Sequence, residues 1–272
     1  MLSQIGKLLV RFYYYVFDRL IFYPMLYLMR KQCTLTFLNL GYKPKKEELK
    51  LDLVENNIQT DAALKAHVYL YEQTLSACPQ YPLLTGMNIL EVSCGHGGGL
   101  RWIMKTHPEI TSAIGIDLYV DEALQRQLKI GDAHNMPFKD DTFDLLINVE
   151  SSHLYRNIKQ FFMECSRVLR PNKYLCWTDL RYREKINNVL EVASSSGFQL
   201  INITDITREV LNGIELTAAE YDEQLDQAPR ILRLFRNSIR STYCAPGTDA
   251  YLRLATRQKV YATACWRCIK NK

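Results

Sequence analysis

Short apolar runs alternate with longer amphipathic stretches along most of the chain. The runs predict strands over residues 88–92, 112–117, 128–131, 143–149, 174–180, 198–205 and 258–269. The stretches between the runs predict helices over residues 98–106, 121–127, 157–168 and 183–196. Strands that alternate with helices form a parallel sheet with right-handed crossovers, so the sequence predicts a doubly wound α/β fold.

The N-terminal part of the chain, residues 1–80, precedes this alternating pattern. Its aromatic-rich stretch 8–29 is interrupted by three charged residues and by Pro24. A membrane span needs roughly 20 apolar residues, and a secretory signal needs an uninterrupted apolar region, so neither is predicted. One or two helices are expected instead. They pack on the core or, through residues 1–31, make a peripheral contact with a membrane.

Residues 41–60 are polar and rich in lysine and glutamate, which predicts a surface connector before a helix from Thr60 to Ser76. Residues 81–272 form the predicted main domain. Within it, residues 206–257 predict a helical insertion before the last strand. Between residues 230 and 240 of this insertion, arginines alternate with leucine, phenylalanine and isoleucine. This pattern predicts a basic amphipathic helix, either a lid that touches lipid or an ordinary surface helix.

The stretch from Asn88 to Gly99 organises the rest of the chain, because an apolar run stops there at a carboxylate and breaks into glycines. Such a pattern predicts a buried strand, a tight turn and a helix start. Gly95 and Gly97 allow a ligand to approach the backbone, since neither carries a Cβ. Asp117 ends the next strand and is placed to bind the two hydroxyls of a ribose.

Two ligand classes fit this turn, a dinucleotide and S-adenosylmethionine. The dinucleotide motif places its first glycine directly after the strand, whereas this chain has Glu91, Val92 and Ser93 there. A carboxylate suits a ligand with a positive amino group and no phosphate, which favours S-adenosylmethionine. Asp132, after the third strand, is a candidate acceptor for the exocyclic amine of adenine.

Several of these runs resemble class I S-adenosylmethionine-dependent methyltransferases of the ubiquinone/sterol methyltransferase type. Within that group the sequence is similar to the mycobacterial phthiotriol/phenolphthiotriol dimycocerosate O-methyltransferases. The resemblance rests on Leu90–Gly99, Gly131–Phe138, Phe143–His153 and Arg167–Pro171, and extends to Ala66–Tyr71 and Glu209–Glu215. It therefore covers most of the chain.

The resemblance implies a seven-stranded sheet of order 3-2-1-4-5-7-6 with an antiparallel seventh strand. It implies that the helix ending at Ser76 lies across the cofactor, so that Tyr71 and His67 are candidates for contacting its methionine end; a buried structural role for His67 is the alternative. The expected cofactor-binding residues are Tyr71, Glu91, Ser93, Cys94, Gly95, Gly97, Asp117, Leu118, Asp132, Ala133 and Asn148.

The segment from Asn148 to His153 faces the transferred methyl group in the resembling enzymes. Methyl transfer from a sulfonium is an in-line displacement, so alignment and exclusion of water supply much of the acceleration. An alcohol or phenol acceptor also requires a base. His153 titrates nearest neutral pH in this segment, and Glu150 is expected to orient or replace it. Asp179 and Arg181 line the acceptor pocket or pair at the surface.

The expected reaction is methylation of oxygen in a hydrophobic alcohol, phenol or lipid- or sterol-like acceptor. One alternative is methylation of carbon or nitrogen in a small molecule. Another is a non-catalytic binding protein with the same fold. It is motivated by a departure from the family, because Asp132 follows Asp117 after only 15 residues, which leaves little room for the second helix.

The charge is unevenly distributed over the 272 residues. Residues 1–31 carry +4 and residues 228–272 carry +9, so the remainder carries −8 to give the net +5. A shared basic face would attract an anionic surface. Nucleic acid is not expected as a partner, because no zinc finger, RNP-like motif or basic-aromatic alternation is present.

The eight cysteines show no paired framework. Cys265 and Cys268 have the spacing of a redox or zinc motif, but no second pair accompanies them, so a terminal strand is favoured and no metal site is expected. This cysteine usage indicates a reducing cytoplasmic compartment, with membrane association left open.

Overall fold

The computed structural model describes residues 37–45, 51–120, 126–228 and 230–270. The predicted membrane contact through residues 1–31 and most of the predicted helix 121–127 lie outside the described residues. Among the described helices, none combines the length and apolar character needed to cross a membrane.

Seven strands form one sheet in the order β3-β2-β1-β4-β5-β7-β6. Strand β7 is antiparallel to both of its neighbours, whereas the other pairs are parallel. The predicted strand order and the antiparallel last strand are confirmed. The strands are β1 Asn88–Val92, β2 Ser112–Asp117, β3 Leu128–Ile130, β4 Phe143–Val149, β5 Leu169–Tyr182, β6 Phe198–Asp205 and β7 Lys259–Cys268.

The described helices surround this sheet. Two 3₁₀ turns, Ser152–Leu154 and Arg183–Lys185, follow β4 and β5. The α-helices are α1 Leu51–Asn57, α2 Ala62–Ser76, α3 Gly98–Thr106, α4 Ile158–Val168, α5 Ile186–Ser195, α6 Thr207–Gln227, α7 Arg230–Arg233, α8 Arg236–Thr242 and α9 Asp249–Ala255.

Both faces of the sheet are covered, because the central strands are apolar on each side. On one face, Ile147 and Cys265 belong to a buried cluster that includes residues of α2, α3 and α6. On the other face, Leu146 and Trp266 pack with residues of α4 and α5, including Phe162. Helix layers on both faces leave the carboxyl ends of the parallel strands as the edge at which a ligand can bind.

Three details differ from the sequence prediction. Strand β5 begins at Leu169 and passes through Pro171, with a register irregularity opposite β4, instead of beginning at residue 174. The basic amphipathic helix expected near residues 230–240 is broken into α7 and α8. Its arginines are also paired, since Arg236 and Arg240 contact Asp222. This part of the predicted insertion therefore presents less free positive charge than the sequence suggests.

The prediction that residues 41–60 form a purely surface connector is wrong. Tyr42 and Val54 are buried in the core, and Val54 lies in α1. The backbone of Gly41 lies against α6, where a Cβ on Gly213 would approach the Gly41 carbonyl carbon to 2.6 Å. The chain enters the domain through its interior because a glycine at each position permits this close approach.

A buried polar cluster ties α2 to α3. The Glu72 carboxylate accepts hydrogen bonds from Trp102 Nε1 at 2.7 Å and from the Tyr81 hydroxyl at 2.6 Å. His107 Nε2 lies 3.3 Å from the same carboxylate. The cluster fixes the position of α2, which carries two of the predicted site residues.

The pH dependence of stability tests this cluster. Burial opposes protonation of His107, yet the Glu72 carboxylate raises the pKa of the imidazole above its ordinary value. The folded state therefore holds this proton more tightly than the unfolded chain does. The contribution of His107 protonation to the free energy of unfolding is complete below the ordinary histidine pKa of about 6.5. It is lost as pH rises through the folded-state pKa.

We expect the stability advantage of the wild type over His107→Gln, measured by urea unfolding, to shrink as the pH rises from about 5.5 through the folded-state pKa of His107. A difference that stays constant over this interval would show that His107 does not bind its proton through Glu72.

Candidate active site

The glycine turn lies between β1 and α3, as the sequence predicts. Gly95 and Gly97 have φ values of +53° and +72°, in the left-handed region that favours glycine. Ser93 also has a positive φ of 60°, and its hydroxyl lies 2.6 Å from the Tyr155 hydroxyl. Cys94 is buried, and its backbone N–H donates to Ile116 O. The turn is thus held between the ends of β2 and β4.

Glu91 is the buried carboxylate at the end of β1. Its Oε1 accepts a hydrogen bond from the Tyr71 hydroxyl at 2.7 Å. Its Oε2 is buried and has no hydrogen-bond partner among the described residues. Burial raises the pKa of Glu91 to about 8, although the Tyr71 hydrogen bond opposes this shift. An acceptor that is buried and unsatisfied is costly, so this oxygen is available for a ligand donor.

Tyr71 reaches the turn because Gly99 has no side chain. A Cβ on Gly99 would lie 1.9 Å from Tyr71 Cε1. The tyrosine ring therefore packs directly on the first turn of α3 while its hydroxyl holds Glu91. Glu91 and the glycine turn with Gly95 and Gly97 are together called the cofactor cradle below. The contact of Tyr71 explains the predicted proximity of α2 to this cradle.

Asp117 ends β2 beside the same turn. Its Oδ2 accepts from the Gly95 backbone N–H at 3.0 Å, and its Oδ1 accepts from the Tyr119 backbone N–H at 3.2 Å. Burial raises the pKa of Asp117. Leu118 is exposed. The carboxylate is at the predicted place next to the cradle, and its contact with a ribose stays a prediction.

The residues expected near the adenine lie beyond β3. Asp132 accepts a hydrogen bond from the His134 backbone N–H at 2.9 Å, and its Oδ1 lies 2.7 Å from His134 Nδ1. Ala133 is buried. Asp132 is thus partly engaged by His134, a neighbour that the sequence analysis did not consider.

Asn148 stands at the end of β4, fully buried beside the cradle. Its Nδ2 donates to Val92 O at 2.9 Å, and its second hydrogen is shared between Ser151 Oγ at 2.7 Å and the Tyr155 hydroxyl at 2.9 Å. Its Oδ1 has no partner among the described residues. The amide orientation is fixed by these donations, so a second unsatisfied acceptor lies at this end of the sheet.

His153 is held by the buried carboxylate of Asp179, near the end of β5. His153 Nδ1 lies 2.6 Å from Asp179 Oδ1, and the His153 backbone N–H donates to Asp179 Oδ2 at 2.7 Å. Ser152 Oγ donates to Asp179 Oδ2, and Arg181 contacts the carboxylate at 3.0 Å. Burial disfavours ionisation of Asp179, but Arg181 and His153 hold its pKa well below the ordinary range.

Glu150 has different partners from those expected. Its Oε2 accepts from the Leu40 backbone N–H at 2.7 Å and from the Tyr261 hydroxyl at 2.6 Å. Burial raises the pKa of Glu150 to about 8. Asp179, not Glu150, orients the His153 ring. A direct catalytic role for Glu150 stays a prediction.

His67 is buried in α2, where Nδ1 lies 3.0 Å from Asn39 Oδ1. Its ring stacks on Phe37 with centroids 5.5 Å apart. Burial lowers the pKa of His67 to about 4, so it is neutral near pH 7. These contacts support the structural alternative for His67.

The sequence analysis missed the partnership of Asp179 with His153 and the approach of Leu40 to Glu150. Asp179 could have been identified from its position at the end of a strand adjacent to β4. The contact of Leu40 has no comparable signal, because the two partners are 110 residues apart.

The hydrogen-bond acceptors at this end of the sheet fit S-adenosylmethionine better than a dinucleotide. The unpartnered oxygens of Glu91 and Asn148 favour a ligand with a positive charge and N–H donors. S-Adenosylmethionine has an ammonium and a sulfonium, whereas a pyrophosphate would place negative charge beside Glu91. The sheet order and this carboxylate-and-glycine cradle define a class I S-adenosylmethionine-dependent methyltransferase.

Comparisons with known proteins agree with this class. A family model described as a methyltransferase domain matches residues 90–177. The probable phthiotriol/phenolphthiotriol dimycocerosates methyltransferase 2 of Mycobacterium ulcerans is 32% identical over 222 residues, covering 78% of this chain and 83% of that protein. The chain therefore belongs to the methyltransferase family that contains the phthiotriol/phenolphthiotriol dimycocerosates methyltransferases, and its cofactor is S-adenosylmethionine.

Two further matches extend the comparison. The fatty-acid O-methyltransferase of Mycolicibacterium smegmatis is 33% identical over 213 residues, covering 75% of this chain and 74% of that protein. Geranyl diphosphate C-methyltransferase from Streptomyces coelicolor A3(2), solved with S-adenosyl-L-homocysteine, has a TM-score of 0.59 at 12% identity. This superposition covers 86% of this chain and 92% of that one, and it shows a shared fold.

Gly99→Ala tests the contact that shapes the cradle. Alanine is normally favoured over glycine in a helix by roughly 0.5–1 kcal/mol, but here the added methyl overlaps the Tyr71 ring. We expect Gly99→Ala to weaken S-adenosylmethionine binding by about tenfold or more in calorimetric titrations, because displaced Tyr71 no longer holds Glu91.

The control compares Tyr71→Ala/Gly99→Ala with Tyr71→Ala, since the Gly99 substitution should cost little further affinity once the ring is absent. Wild-type affinity in the single variant would refute the proposed contact.

Proposed function

We propose that this methyltransferase methylates a hydroxyl group of a hydrophobic, lipid-like acceptor. The observation that carries the proposal is the contact of 2.6 Å between His153 Nδ1 and Asp179 Oδ1. A buried carboxylate that fixes the ring through one nitrogen leaves the other nitrogen, Nε2, to accept a proton. A base is needed when the acceptor is an alcohol or phenol.

The surrounding contacts define what the protein residues do in this reaction. Asp179 receives four donors besides the imidazole, from the backbones of His153 and Leu180 and from the side chains of Ser152 and Arg181. It therefore remains ionised and stabilises the imidazolium when Nε2 of His153 takes the acceptor proton. S-Adenosylmethionine, when bound, supplies an electrophilic methyl group. Glu91, Asp117 and the glycine turn are proposed to hold it.

The lipid-like nature of the acceptor is inferred from the relatives and from the composition of the site. One relative is named for phthiotriol and phenolphthiotriol dimycocerosates, and another for fatty acids. Phe37, Tyr221 and Tyr261 are buried aromatic residues, and the Tyr261 hydroxyl donates to Glu150 just beyond the carboxyl end of β4. Apolar surroundings of this kind favour an apolar acceptor with limited selectivity.

Methylation of a fatty-acid carboxylate is the second candidate, favoured by the 33% identity to the fatty-acid O-methyltransferase. A carboxylate is already ionised near neutral pH and needs no base. The His153–Asp179 pair therefore favours the hydroxyl acceptor. Methylation of carbon or nitrogen in a small molecule and a non-catalytic binding role have no supporting contact among the described residues.

Peripheral membrane contact and a lid role for residues 206–257 remain proposals. Both would bring a lipid acceptor to the carboxyl edge of the sheet. The helices α6 to α9 occupy the predicted insertion between β6 and β7.

The experiment offers isotopically labelled S-adenosylmethionine and lipid extract to the purified protein, and identifies labelled products by mass spectrometry. We expect a methyl ether of an apolar alcohol or phenol. His153→Ala and Asp179→Asn should each lower kcat by about 100-fold or more while leaving cofactor affinity nearly unchanged.

Fatty acids provide the matched control, because their methylation should be insensitive to loss of the base. Labelled methyl esters without any labelled methyl ether, formed by the wild type from lipid extract, would reject the hydroxyl acceptor in favour of the carboxylate.

A further inference from the structure

Residues 37–42, here called the strap, cross the carboxyl ends of β1 and β4. At one end, Leu38 Cδ1 lies 3.5 Å from the position that a Cβ on Gly95 would occupy. Further along, the Leu40 backbone N–H donates to Glu150 Oε2. The strap therefore covers the edge of the sheet that carries the cofactor cradle.

Helices α2 and α6 hold the strap from outside the sheet. The Tyr42 backbone N–H donates to Ala66 O at 2.8 Å, and Thr217 Oγ donates to Leu40 O at 2.9 Å. The Tyr221 hydroxyl donates to Phe37 O at 3.1 Å. These bonds anchor one side of the strap to two helices that pack against each other.

Glu150 provides the contact from the sheet side. One oxygen, Oε2, accepts both the Leu40 N–H and the Tyr261 hydroxyl. Glu150 also has a φ of +50°, a left-handed conformation that is unfavourable for a residue with a Cβ. Strained residues of this kind are concentrated at functional sites, where the surrounding structure imposes the conformation.

We propose that Glu150 and Tyr261 are positioning residues that keep the strap closed over the cofactor cradle, so that S-adenosylmethionine is retained and shielded from water. Glu150 acts through the Leu40 N–H, and Tyr261 fixes the carboxylate that accepts it. The inference concerns cofactor retention and therefore goes beyond the proposed acceptor chemistry.

The strap and the ligand can be observed separately. Amide hydrogen exchange of residues 38–42 reports opening of the strap, and calorimetric titration with S-adenosylhomocysteine reports cofactor-site affinity without an acceptor. The outcome is therefore independent of which acceptor the enzyme methylates.

In Glu150→Ala we expect exchange at Leu40 to rise by about tenfold or more, and S-adenosylhomocysteine affinity to fall by a similar factor. Tyr261→Phe, a milder change that removes one hydroxyl, should shift both quantities in the same direction. Glu150→Gln retains an acceptor oxygen for the Leu40 N–H, so it should restore both quantities to within about threefold of the wild type.

Tyr81→Phe is the matched control for Tyr261→Phe. Each removes a tyrosine hydroxyl that donates to a buried glutamate at 2.6 Å, but Tyr81 contacts Glu72, away from the strap. Trp102 and His107 still contact Glu72 in this variant and keep α2 in place, so strap exchange should be unchanged. Unchanged exchange in both Glu150→Ala and Tyr261→Phe would overturn the proposal. Weaker ligand affinity without faster exchange would also overturn it, since Glu150 would then act on the ligand directly.

Discussion

The burial of Glu91 at the end of β1 is the constraint on which the site depends. Removing a carboxylate from water costs several kcal/mol unless it is paired and hydrogen-bonded. Oε1 accepts a hydrogen bond from the Tyr71 hydroxyl, and Oε2 has no partner among the described residues. The raised pKa of Glu91 expresses this cost. A cationic ligand with N–H donors, such as S-adenosylmethionine, would recover this cost.

Two buried carboxylates at the same edge of the sheet show how surroundings assign roles. Glu91 accepts a hydrogen bond from Tyr71 at Oε1, has no partner at Oε2 among the described residues, and has a pKa that burial raises to about 8. Asp179 is equally buried, but Arg181, Ser152 and His153 surround it and hold its pKa well below the ordinary range. We propose that Glu91 receives a ligand, whereas Asp179 stays ionised and orients the ring of His153. When the surroundings shift the pKa values of two titratable groups in opposite directions, the two groups commonly have different roles in the site.

The sequence predicted the parts of the molecule that depend on local pattern. The turn after Glu91 and the helix Gly98–Thr106 follow from an apolar run, a carboxylate and glycines that are adjacent in the chain. The strap could not be predicted, because its partners Glu150 and Tyr221 lie 110 and more residues away. The prediction of a single helix near residues 230–240 was wrong for a related reason. The periodicity of the sequence alone did not reveal the break before Arg236.

Proton release on cofactor binding tests the central claim most directly. With a pKa of about 8, Glu91 is largely protonated near pH 7 in the free protein, and a cationic ligand would favour its ionised form. Calorimetry of S-adenosylmethionine binding in buffers of different ionisation enthalpy should therefore show close to one more proton released by the wild type than by Glu91→Gln at about pH 7. Equal proton release by the two proteins, or no binding to the wild type at millimolar concentration, would contradict the account.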